Sequence, residues 1–96
     1  MILLRVDLRG GDPAGEGRRR LEAVLNEAGF SKTIQRADGT RFKLPAGEYR
    51  AVEETIPSLA AARDAATVAA RAVAPDCGLL LTQVQDWVGV GLKIKQ

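Results

Sequence analysis

Apolar and polar positions along this chain fall into short segments that can be read in turn. Met1 to Leu8 reads Met-Ile-Leu-Leu-Arg-Val-Asp-Leu, an apolar run broken only by Arg5 and Asp7, and it predicts a central strand buried on both faces at its start. Arg9 to Gly17 holds four glycines and Asp12-Pro13, a loop in which Asp12 is placed to cap a helix and Pro13 to occupy its first turn. From Glu16 to Ala28, the residues Leu21, Val24, Leu25 and Ala28 follow the three-four spacing of one helical face, and Gly29 supplies the stop.

Ser31 to Ala37 and Thr40 to Lys43 flank Asp38-Gly39, a pair that predicts a two-residue hairpin with a type I′ turn. Pro45 interrupts the return strand because it cannot donate to a ladder. Pairing is expected to resume across Glu48 to Glu54, with Tyr49 and Ala51 on one face and Arg50 and Val52 on the other. Ile56-Pro57-Ser58 opens a second helix over the alanine-rich stretch Leu59 to Val73, which ends before Pro75. Gly78 to Gln83 is an apolar run of strand length, and Trp87 to Lys95 alternates apolar with small or charged residues, again a strand pattern.

These elements predict an α+β fold, a ferredoxin-like βαββαβ sandwich with an additional C-terminal strand. The chain of 96 residues has room for a single domain and one core. Residues 1–85 supply the βαββαβ part, and residues 86–96 a strand that either edges its own sheet or is exchanged in a homodimer. Only Phe30, Phe42, Tyr49 and Trp87 are aromatic, so aliphatic side chains fill a thin core of the kind that a partner subunit often completes.

Composition narrows the chemistry. There is no His, which removes the commonest general base and metal ligand at neutral pH. One cysteine, Cys77, makes no internal disulfide. Cys77 reads as a small structural residue, since no general base accompanies it. No charged-then-apolar leader pattern is visible, and no apolar stretch approaches the roughly 20 residues of a membrane span, so a cytoplasmic protein with no membrane partner is expected.

The net charge is +2, too small to argue for nucleic acid, but ten of the fourteen basic residues are Arg. Arginine forms bidentate contacts with phosphate and carboxylate. Arg18, Arg19 and Arg20 fan around the start of the first helix, so one leans on the sheet while the others reach solvent. They and Arg9 are candidate phosphate contacts, with backbone N–H groups of Gly10-Gly11 as helpers; the alternative is a solvated face balanced by Glu16 and Glu22. The glycines lack the Lys-Ser/Thr ending of a phosphate loop. Asp7, at the end of the first strand, is the candidate catalytic residue and Mg²⁺ ligand. As a metal ligand it needs a second carboxylate across a dimer axis, and otherwise it is a strand-end Asp paired with Arg5 or Arg9. Tyr49 and Phe42 could stack bases but do not follow the pattern of sheet-based RNA binders, and with so few aromatics available core packing is the favoured account of them. Trp87 suits an interface anchor.

An apolar strand ending in Asp7, an Arg-bearing helix closed by Gly29-Phe30, a hairpin through Asp38-Gly39, then Leu44-Pro45 and Gly47-Glu48-Tyr49 together resemble the GhoS-type antitoxin family and the wider group of small CRISPR-associated integration adaptors. The likeness covers the element order of about residues 1 to 85. It implies a homodimer whose C-terminal strand completes the partner's sheet, and RNA as a partner, with a cognate toxin transcript as target. If the chain is active, the resemblance implies a metal-dependent endoribonuclease with Asp7 at the acidic position. Two other readings remain open: a non-catalytic dimeric assembly module, and a regulatory domain that receives an anionic metabolite at Gly10-Gly11.

Overall fold

The computed structural model describes residues 1–8 and 15–95. Its elements run β1 (Ile2–Asp7), α1 (Glu16–Glu27), β2 (Phe30–Ser31), β3 (Thr33–Gln35), β4 (Arg41–Lys43), β5 (Glu48–Ala51), α2 (Leu59–Val73) and β6 (Gly78–Gln83). β2, β5, β1 and β6 lie side by side in that order in one antiparallel sheet, while β3 and β4 form a separate two-stranded hairpin. The molecule is thus a small α+β fold with a four-stranded antiparallel sheet and two helices.

One face of the sheet makes the core. Ile2, Leu4 and Val6 of β1, Tyr49 and Ala51 of β5 and Phe30 of β2 bury there with Leu21 and Leu25 of α1. From α2, the i, i+4 stripe Ala62, Ala66 and Ala70 completes the cluster, all three at 0% exposure. Methyl-sized side chains let α2 approach closely. Alternation sends Leu3, Arg5 and Asp7 of β1 to the opposite face with Arg50, Leu80 and Thr82. Leu3 is only half-buried, so β1 is central as expected but not buried on both faces, because both helices stack on the same side.

Several local expectations shift. Gly15, not Asp12, is the N-cap of α1, at φ −42° and ψ 130°, with no side-chain capping bond; Asp12 and Pro13 lie outside the described residues. Gly29 does end α1: its φ is +105°, and an added Cβ would come within 2.9 Å of Thr55 Cγ2. α2 spans the expected residues, and the Ser58 hydroxyl accepts from the Ala61 N–H at 3.0 Å.

The β3–β4 turn is not a two-residue type I′. Arg36 N–H donates to Thr40 O at 2.8 Å and Gly39 N–H to Arg36 O at 2.9 Å, which encloses the three residues Ala37, Asp38 and Gly39. A type I′ turn would need positive φ at Asp38, and only Gly39 (φ +93°) has it. The Asp38 carboxylate instead accepts from Thr40 N–H at 2.8 Å, a side-chain turn that competes with the tighter one.

The C-terminal segment is not a full strand. It meets β4 of its own chain through Lys43 N–H to Lys93 O and Lys95 N–H to Arg41 O, both 2.8 Å, around a single bridge between Phe42 and Ile94. Residues 86–91 take no strand conformation. Gly91 has φ +72°, and Val88 and Val90 are 89% and 88% exposed, so their alternation has no surface to bury against.

Candidate functional site

The β4–β5 connection builds one wall of the candidate site. Between Ser31 and Thr33 the chain carries one extra residue, Lys32, opposite the excursion Leu44 to Gly47. The Lys32 ammonium donates to Pro45 O at 2.7 Å and Glu48 O at 2.9 Å, and lies 4.8 Å from the centre of the Tyr49 ring. This clamp holds the excursion against the sheet. Gly47 then reaches β1, where its carbonyl accepts from Val6 N–H at 2.8 Å. A side chain is not tolerated there: φ is +83°, and a Cβ would sit 3.1 Å from Val6 O.

Arg5, Asp7, Arg18, Gly47, Gly78 and Leu80 line the resulting cleft of about 560 Å³ at the end of β1. Arg18 enters it because it lies one turn before Leu21 on the stripe that α1 turns to the sheet, and it is half-buried. An added Cβ on Gly47 would be 4.0 Å from its guanidinium nitrogen. Arg19 and Arg20 are exposed and outside the cleft lining. Asp7 and Arg18 thus line one cleft, with Arg5 added, while Arg19 and Arg20 stay outside it. Arg9 and the Gly10-Gly11 loop lie outside the described residues.

Two titrating groups belong to the clamp behind the cleft wall. Tyr49 is 1% exposed, and burial, reinforced by the charge of Glu22, pushes its hydroxyl up to about 12. Burial lowers the Lys32 ammonium, with the nearby Arg18 charge acting in the same direction and Glu22 and Glu48 opposing it. Tyr49 is thus a core residue rather than a stacking platform.

Among the described residues, no three His, Cys, Asp or Glu side chains gather as a metal site. Among the described residues that line the cleft, Asp7 is the carboxylate. Cys77 is buried in the core. Sequence reading missed Arg5 as a lining residue, Lys32 as the clamp and Gly47 as the close approach. The apolar alternation of β1 could have placed Arg5 beside Asp7, two residues away on one face, whereas the other two depend on a bulge. A second hollow, of about 510 Å³, lies between the hairpin tip and the C-terminal segment, where Arg36, Phe42 and Trp87 meet.

No family model matches this chain, and no curated protein and no solved structure matches it either. No helix among the described residues is long and apolar enough to cross a membrane.

Proposed function

We propose that this chain is a dimeric, nucleic-acid-associated protein of ferredoxin-like shape that takes a phosphodiester of RNA in the Arg5–Asp7–Arg18 cleft. The observation that carries the reading is that Arg5, Asp7 and Arg18 line one groove at the end of β1, Arg5 and Asp7 from the open face of the sheet and Arg18 from the helix side. Arginine forks suit phosphate oxygens, and Asp7 is positioned to act on the same group as acid or base, or through Mg²⁺. A magnesium ion at Asp7 would take its remaining oxygens from water and from the bound phosphate. The ferredoxin-like reading is supported by the strand order β2-β5-β1-β6. With β3 and β4 set aside as an insertion, the chain reads βαββαβ and its first and third strands are central. The GhoS-type resemblance adds an RNA-cleaving antitoxin in the cytoplasm, with a toxin transcript as target.

Binding to single-stranded RNA is expected to weaken steeply with salt, because each phosphate contact releases counterions. Arg18→Ala should flatten the slope of log K against log salt by about 0.7, and more than Arg19→Ala or Arg20→Ala. Cleavage, followed on a gel with Mg²⁺ and with EDTA, should disappear in Asp7→Ala. Cleavage unchanged in Asp7→Ala would remove the catalytic role.

A non-catalytic assembly module is the second reading, favoured by the exposed apolar residues Leu80, Val88, Val90 and Ile94. Absence of RNA binding at roughly 150 mM salt would select it.

A further inference from the structure

We infer that the outer edge of β6 pairs with the β6 of a second copy, antiparallel across a two-fold axis at Leu80, so that two four-stranded sheets become one of eight. This deepens the dimeric reading above by naming its interface.

The phase of the ladder decides which backbone groups are available. Met1 and Val84 exchange both hydrogen bonds, Val84 N–H to Met1 O at 2.7 Å and the N-terminal ammonium to Val84 O at 3.3 Å. In an antiparallel pair such exchanges recur at every second residue. With the register Leu3↔Thr82, Arg5↔Leu80 and Asp7↔Gly78, the N–H and C=O groups of Thr82, Leu80 and Gly78 face β1. Those of Leu79, Leu81 and Gln83 point away from it, and β6 ends the sheet. Among the described residues nothing pairs with that edge.

β6 also lacks what usually protects an edge. Gly-Leu-Leu-Leu-Thr-Gln contains no charge, no proline and no bulge, and Leu80 is 62% exposed at its middle. A second β6 is the occupant that this strand fits. Residues opposite each other in an antiparallel pair share a face, so the axis must pass through a residue rather than between two. An axis at Leu80 pairs Leu79 with the partner's Leu81 through outward-facing groups, giving four backbone hydrogen bonds, and sets Leu80 against its own copy. An axis at Leu81 would oppose Leu80 to Thr82 and Leu79 to Gln83, which wastes the apolar matches. From strand spacing and rise, the two Asp7 residues then stand on the order of 20 Å apart on one face. Each cleft works alone, and a metal at Asp7 draws its other oxygens from phosphate and water.

Sedimentation of the full chain without RNA should give twice the chain mass. Leu80→Cys should oxidise to a disulfide-linked dimer, since the two-fold pair is a non-hydrogen-bonded one with close side chains, and Thr82→Cys should not. Leu80→Lys and Leu80→Glu should each sediment as monomers with an unchanged circular dichroism spectrum, and mixing them should restore the dimer. A monomeric wild-type chain, or crosslinking through Thr82→Cys but not Leu80→Cys, would overturn the interface. These readouts need no RNA, so a failure of the phosphodiester reading leaves them standing.

Discussion

At the scale of single residues, the candidate site depends on a few positions with no freedom to change. Gly47→Ala forces a side chain into φ +83° and against the Val6 carbonyl, and is expected to cost on the order of 1–2 kcal/mol in urea unfolding. Tyr49 gives a pH signature. Its folded value of about 12 lies above the ordinary 10.0, so the unfolded chain loses this proton first. The resulting stability is fully present below pH 10 and is lost as pH rises through 12. At about 1.4 kcal/mol per decade, the loss is on the order of 2–3 kcal/mol, and Tyr49→Phe should abolish it in a stability profile measured across that range. Lys32 acts with the opposite sign. Its lowered value means that burying the charged form costs stability at neutral pH, a cost relieved as pH rises toward 10.5. The arginines were legible as candidates, but three consecutive identical residues say nothing about which one a helix turns inward. Leu21 and Leu25 in the core settle that for Arg18.

At the scale of elements, the helices follow local rules and the hairpin does not. The ends of α2 could be read from Ser58 and Pro75 because capping and helix propensity act within a few residues. Ser58→Ala removes the bond to Ala61 and should lower stability by about 1 kcal/mol. Ala66→Leu would overfill the buried alanine stripe of α2, where exposure is 0%, and should cost about 1–3 kcal/mol. Val68→Ala, at a position 76% exposed, should stay within about 0.5 kcal/mol. Thermal melts monitored by circular dichroism would rank the three. Asp38-Gly39 does not by itself fix the hairpin, because the pair is compatible with more than one turn. What decides between them is the ladder: Gln35 pairs with Arg41, which leaves five residues to close rather than two.

For the molecule as a whole, the C-terminal segment ties the small hairpin to the chain's end. Truncation after Asp86 removes both backbone bonds to β4, and should raise hydrogen exchange at Lys43 while Leu4 and Val6 in β1 stay protected. Exchange of that segment between two copies would keep the same bonds, since a swapped strand makes identical contacts in the partner. Equal protection in a chain held monomeric by Leu80→Lys would show that the segment closes within one chain. Arg5 and Asp7 share a cleft with Arg18, which lies in a different element. That shared lining depends on how α1 docks against α2 and the sheet and on the β4–β5 excursion that Lys32 holds, neither of which is a local property.

The two helices, the apolar stripe of α1 and the boundaries of α2 and β6 were determined by the sequence itself, because periodicity, capping and turn residues act over a few positions. Tertiary structure alone decided which arginine joins Asp7, that a lysine in a bulge holds the cleft wall, and that the last residues lie along β4. Those outcomes rest on contacts between distant segments, whose energies no local pattern records.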